Sequence, residues 1–152
     1  MIIQGTHVVF YKYLSTLRSK TLAVLLSKRT QDAPYHVGYW GLFGGSVEKG
    51  ENPEGALIRE ITEEIEAGDY LLSLVHLCDV SVTRGDKDKI GVAYFECPLD
   101  VKMTALSIAN KSDDGKIESD GLAWFTAEEI HHLMIRPEDR IAISKFFEKH
   151  GV

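Results

Sequence analysis

Apolar and β-branched positions crowd residues 7–14 and 21–28, and the polar stretch 15–20 separates them, so the chain opens as two neighbouring strands joined by a loop. Residues 30–45 break that rhythm. Pro34, Gly38, Gly41, Gly44 and Gly45 lie among aromatics there, too glycine-rich for a helix and too interrupted for one long strand. The pattern predicts a shaped loop with a short strand at Leu42 and Phe43. At Asn52 the period changes: asparagine caps free N–H groups and Pro53 is preorganised for a first helical position, which predicts a helix from 53 to about 67. Leu57, Ile61 and Ile65 recur every four positions with Ala56 and Ile58 beside them, a stripe that should face a sheet, and Gly68 supplies a stop.

Further on, 71–83 and 90–97 read as two strands around the polar turn 84–89, and 122–125 as another short one. Segments 126–134 and 137–150 read as helices, each opening on a capping or first-turn residue, and the polar run 110–120 as a mobile loop. Strands and helices alternating irregularly, with one antiparallel pair, predict an α/β fold: a mixed β-sheet with helices on both faces. The 152 residues show no repeat and no linker, so one domain spanning 1–152 is expected.

Composition narrows the class. With 44% hydrophobic and 26% charged residues the chain is an ordinary globular protein. A net charge of −6 argues against a nucleic-acid polymer as partner, because a phosphate backbone demands clustered Lys and Arg. A small anion can still bind where a divalent cation supplies the positive charge. Cys78 and Cys97, outside any CxxC pattern, read as thiols in a reducing compartment. No run of apolar residues is long enough for a membrane span, and residues 1–14 lack the layout of a secretion signal, so a cytoplasmic protein without a membrane partner is expected.

The chemistry concentrates in the first helix. Glu60, Glu63 and Glu64 stand at i, i+3 and i+4, within an arc of roughly 100°. Like charges so placed repel, and a hard divalent cation reverses that cost by taking carboxylate oxygens. Taken alone, three glutamates are more often a solvated acidic face. Their surroundings change the balance: Gly45, Glu51, Arg59, Glu60, Ile61, Glu63 and Glu64 fall in the register G-x5-E-x7-R-E-u-x-E-E, where u is aliphatic. This resembles the signature box of the Nudix hydrolases, the MutT-like family. Two positions depart from it, Glu66 where the family has glycine and Ala67 where it has an aliphatic residue, and both concern only the helix exit.

The resemblance implies a Nudix-type α/β/α sandwich and hydrolysis of a phosphoanhydride bond with Mg²⁺, or Mn²⁺ in its place. It implies that Glu60, Glu63 and Glu64 bind the metal directly or through water, with the Gly44 carbonyl as a further ligand. Arg59 would pair with Glu51 and tie loop to helix. Gly44 and Gly45 would let backbone approach metal and phosphate. Glu118, just before Trp124 and Phe125, stands where many relatives present another glutamate, so the general base is either Glu118 or a box glutamate such as Glu60 or Glu63. Arg29 and Arg84 are candidates for phosphate, and Trp40 and Tyr39 for stacking on a base near Gly45. His36, His76, His131 and His132 show no metal-ligand spacing, and Cys78 no activating partner.

The box names a reaction better than a substrate. Residues 25–45 have the spacing of the family's coenzyme A motif, but Pro34 replaces its arginine and Leu42 with Phe43 replaces Phe-Pro. Val82 and Thr83 occupy the place of the proline typical of ADP-ribose specialists, and the tyrosine typical of dinucleoside polyphosphate hydrolases is missing. These absences leave nucleoside triphosphates, damaged ones included, or nucleotide sugars, and of the two the triphosphates are preferred. A nucleotide sensor without turnover is the alternative of another class, and homodimerisation is a further expectation from the resemblance.

Overall fold

The computed structural model describes residues 2–15, 17–29, 38–65, 73–84, 88–99 and 119–152, with only the backbone described for Glu64, Ile65, Arg84, Ser119 and Asp120. The elements are β1 (Ile2–Ser15), β2 (Lys20–Arg29), β3 (Trp40–Gly41), β4 (Phe43–Ser46), α1 (Pro53–Ile65), β5 (Val75–Arg84), β6 (Asp88–Pro98), β7 (Ser119–Thr126), α2 (Ala127–Ile130) and α3 (Pro137–Lys149). Among the described residues the strands form one mixed sheet in the order β3-β2-β1-β6-β5, with β4 on β1 and β7 on β2. β1 and β6 run parallel; the remaining pairs are antiparallel, more of them than the single pair the sequence predicts.

Strand alternation divides the core in two. Val8 and Phe10 of β1, Leu25 of β2 and Ala93, Phe95 and Cys97 of β6 point to one face, where Leu57 and Ile61 of α1 cover them. Val9, Leu22, Val24, Leu26, Val92 and Tyr94 point to the other, against Ala142, Ile143, Phe146 and Phe147 of α3. Burying a Leu, Ile or Phe fully contributes about 1.5–3 kcal/mol each, so both helices are held chiefly by these stripes. The layers are helix, sheet, helix, as the alternation of elements predicts. Ile58 is a correction: it is 41% exposed, because it turns away from the Leu57–Ile61 line that faces the sheet.

Helix starts follow the local chemistry. The Asn52 side chain accepts the Gly55 N–H at 2.7 Å, and the Thr6 hydroxyl donates to the Pro53 carbonyl at 2.9 Å, fastening the start of α1 to β1. Thr126 and Glu129 form a reciprocal capping box, yet α2 ends at Ile130, well short of the predicted 134. Arg140 explains where the freed carbonyls go, donating to those of Ile130 and Leu133.

The glycine-rich segment also departs from expectation. Leu42, predicted within a strand, instead separates β3 from β4. β3 continues the sheet on β2 through Ser27 and Lys28, whereas β4 pairs with β1 from Gly5 to Val8. Leu42 is the switch between two partners, and its N–H turns to the Asp139 carboxylate at 3.3 Å. Gly68 and residues 71–72 and 110–118, read from sequence as a helix stop, part of a strand and part of a loop, lie outside the described residues. No disulfide joins Cys78 and Cys97; burial raises the Cys97 thiol to about 11. No helix among the described residues is long and apolar enough to cross a membrane.

Candidate active site

Strand register gathers the site at one end of the sheet. His7 pairs with Gly44 across β1 and β4 and with Tyr94 across β1 and β6, while Trp40 pairs with Lys28, next to Arg29. Gly44 has φ +154°, and a Cβ there would lie 2.0 Å from the Thr6 carbonyl oxygen and 2.7 Å from the His7 Cα, so only glycine fits. At Gly45 the obstacle is different. A Cβ would lie 2.2 Å from Glu60 Cδ, which means that the Glu60 carboxylate of α1 rests against the bare backbone of β4.

Arg59 organises the glutamates around this contact. Its Nε and Nη2 donate to the two oxygens of Glu51 at 2.9 Å each, Nη2 also to the Ser46 carbonyl at 3.0 Å, and Nη1 to Glu60 at 3.0 Å. Glu51 in turn accepts the Glu48 N–H at 3.0 Å. One guanidinium thus joins the end of β4, the turn after it and α1 through a bidentate pair and two further bonds. Glu63 stands 3.7 Å from Arg59 Nη1 and keeps 60% of its side chain exposed, against 18% for Glu60.

These neighbours set the protonation of each group. The hydrogen bond from Arg59, then that from the Glu48 backbone, lowers the Glu51 carboxyl, and Glu51 in turn raises the Arg59 guanidinium. Glu60 moves the other way: burial raises its carboxyl, Arg59 opposes this, and Glu63 and Glu48 add repulsion. A carboxylate so desolvated and crowded by like charges gains from a nearby cation.

Hard oxygen donors against a glycine whose side-chain space they fill suit a hard divalent ion. Among the described residues no three Asp, Glu, His or Cys side chains converge to enclose an ion by themselves. The geometry explains this in part, since one Glu60 oxygen is engaged by Arg59. Glu64 lies on α1 one residue after Glu63, its side chain outside the described set, and Glu118 lies outside it altogether.

The other candidates scatter. Arg29 closes β2, exchanging backbone bonds with Gly38 and Tyr39, and its charge helps to lower His7. Trp40 is half-buried, edge-on to Phe125 at 4.9 Å between ring centres. Arg84 pairs with Asp88 on the sheet's outer hairpin, whereas Gly45 and Gly44 are level with Ala93 and Tyr94 of β6, so the register does not bring its backbone beside them.

Sequence reasoning missed a polar cluster beneath β4. Asp139, wholly buried, accepts from Tyr94 Oη at 2.7 Å and from Arg136 Nη2 at 3.0 Å, and Arg136 Nη2 lies 3.3 Å from His7 Nε2. Burial alone would raise the Asp139 carboxyl, but Arg136, His7 and the bonds from Tyr94 and Arg136 hold it below the usual range. Burial lowers His7 to about 4. A neutral His7 accepting from Arg136 at Nε2 carries its proton on Nδ1, which is buried without a partner. The signal was present in the sequence: Asp139 falls in helical phase with Ala142, Ile143, Phe146 and Phe147.

Known proteins resemble this chain in sequence and in fold. The family profile described as NUDIX domain matches residues 13–146. The nucleoside triphosphatase NudI of Klebsiella pneumoniae (strain 342) is 32% identical over 132 residues, 80% of this chain and 85% of its own. A NudI of Escherichia coli (strain SE11) is 50% identical over 50 residues, a third of either chain. Among solved structures, the NUDIX domain of Shewanella oneidensis NrtR complexed with ADP ribose has a TM-score of 0.70 at 17% identity, covering 99% of this chain and 89% of its own. The MutT NUDIX hydrolase of Burkholderia pseudomallei has a TM-score of 0.67 at 20% identity, covering 95% and 98%. The chain therefore belongs to the NUDIX family and is a Nudix pyrophosphohydrolase.

Proposed function

We propose that the protein hydrolyses a phosphoanhydride bond of a nucleoside triphosphate, using Mg²⁺ or Mn²⁺ held by Glu60, Glu63 and Glu64 with the Gly44 carbonyl. The observation that carries the reading is the seat of the Glu60 carboxylate on Gly45, with Arg59 binding both Glu60 and Glu51. The choice of triphosphate rests on the relatives named nucleoside triphosphatase and on the missing marks of other substrate classes in the sequence.

A bound cation supplies charge neutralisation at the phosphates and a lowered pKa for attacking water. The chain's own contribution is orientation. Arg59 fixes the rotamer of Glu60 and ties it to Glu51, Gly45 leaves room for the Glu60 carboxylate against β4, and a carboxylate takes the proton of the attacking water. Glu60, Glu63 and Glu118 are the candidates for that base. Arg29 and Trp40 stand at the same end of the sheet as Gly45 and are proposed to meet the phosphates and the base; Arg84, at the outer hairpin, is the weaker candidate for phosphate.

The test is phosphate and pyrophosphate release from a panel of nucleoside triphosphates, nucleotide sugars, ADP-ribose and dinucleotides, with Mg²⁺, with Mn²⁺ and with chelator. Cation-dependent release from triphosphates, lost in both Glu60→Gln and Glu64→Gln, is the expected result. Preferential turnover of nucleotide sugars would replace the substrate class, and full activity in both variants would overturn the cation assignment. Glu118→Gln identifies Glu118 as the base if it abolishes turnover while Mn²⁺ still binds.

A further inference from the structure

We propose that Asp139, on α3, is a positioning residue for the Gly44–Gly45 segment of β4 and sets the affinity of the cation site without touching the cation; the inference rests on the cation reading above. Both of its oxygens are already engaged. Oδ1 accepts from Tyr94 Oη at 2.7 Å, and Oδ2 accepts from Arg136 Nη2 at 3.0 Å, Arg136 Nε at 3.3 Å and Leu42 N at 3.3 Å. With no exposure and four donors on two oxygens, Asp139 acts through its partners rather than on a ligand.

Those partners flank Gly44 on both sides. Leu42 is the residue at which the chain leaves β2 for β1, so no strand supplies an acceptor for its N–H, and Asp139 replaces one. Gly44 follows two residues later. On the opposite side, Arg136 reaches His7 Nε2 at 3.3 Å, and His7 is the residue paired with Gly44 on β1. The approach to α3 adds two more fixings, the Trp40 N–H to the Met134 carbonyl at 2.9 Å and the bridge between Trp40 and Ile135. Gly41 is tight against the same carboxylate, since a Cβ there would lie 3.2 Å from Asp139 Oδ2. The α3 face of the sheet therefore holds the strand whose opposite face receives Glu60.

A structural role alone predicts lost stability from any cut in this network. Positioning predicts that only cuts reaching β4 and the Leu42 N–H that leads into it weaken cation binding. The measurement is Mn²⁺ affinity by electron paramagnetic resonance, with thermal unfolding in parallel, on the full chain. Asp139→Asn, and separately an amide-to-ester replacement that deletes only the Leu42 N–H, should each weaken Mn²⁺ binding about tenfold. Tyr94→Phe removes a hydrogen bond from the same carboxylate but none from Leu42 or β4, and should lower the unfolding temperature while leaving Mn²⁺ affinity within about twofold. If Asp139→Asn does not fold, the ester decides. Unchanged affinity in the ester, or an equal loss in Tyr94→Phe, overturns the inference while wild-type Mn²⁺ binding preserves the cation reading; a wild-type protein that binds no Mn²⁺ overturns both.

Discussion

The Glu60 carboxylate lies against the Cα of Gly45 so closely that a methyl group on that carbon would overlap it, at 2.2 Å from Cδ and 2.4 and 2.5 Å from the oxygens. The glycine is required by the glutamate, not by a turn. Gly45→Ala is expected to push Glu60 from its seat and lower turnover by about a hundredfold, the usual effect of displacing a catalytic group by an ångström. Steady-state hydrolysis and Mn²⁺ affinity should fall together. Full turnover in a folded Gly45→Ala would show that the seat of Glu60 is not part of the chemistry.

Glu60→Gln separates what is good for the fold from what is good for the reaction. The folded carboxyl titrates above its ordinary value of 4.5, chiefly because it is buried. The native state thus holds a proton that the unfolded chain has released, so this group's contribution to stability declines as pH rises from 4.5 to the raised value, and the penalty persists above it. In chelator, the variant's urea midpoint should therefore decline less than wild type's over that window, while turnover drops by orders of magnitude. A steeper decline in the variant would contradict the sign.

Arg59 donates to Glu51, Glu60 and the Ser46 carbonyl at once, and a lysine cannot reproduce that fork. Arg59→Lys should consequently behave like Arg59→Ala in the cation assay, with affinity reduced about tenfold or more, and both should melt below wild type. Rescue by lysine would mean that positive charge alone, not the bidentate geometry with Glu51, is what the site needs.

Much of this was legible in the sequence because it is local. The box spacing placed Glu51, Arg59 and Glu60 in one frame, and the period of Leu57 and Ile61 fixed the buried side of α1. What was not legible depends on partners distant in the chain. Leu42 belongs to an apolar pair with Phe43, and only the divergence of β1 from β2 makes it a break rather than a strand. Asp139 meets Tyr94, 45 positions away, and Leu42, 97 positions away, contacts that no local pattern encodes. Its helical phase marked it as buried, but the identity of its partners follows from the packing of α3 on the sheet.

His7 makes the acid limb of stability predictable. Burial keeps its imidazole neutral down to about pH 4, against an ordinary value of 6.5. Below 6.5 the unfolded chain takes up a proton that the native state refuses, so the contribution is whole above pH 6.5 and is lost as pH falls to about 4, up to a maximum of about 3 kcal/mol. Glu60 works in the opposite direction in the lower part of that window, so wild type alone does not isolate the histidine. The difference between wild type and His7→Gln does. Denaturation at several pH values between 7.5 and 4.5 should show wild type losing stability faster than the variant on acidification, with the wild type's Asp139 still charged throughout, since it titrates below its ordinary 3.8. Parallel curves for the two proteins would mean that His7 protonates in the native state as readily as in the unfolded one, which its partnerless Nδ1 and the guanidinium at 3.3 Å both oppose.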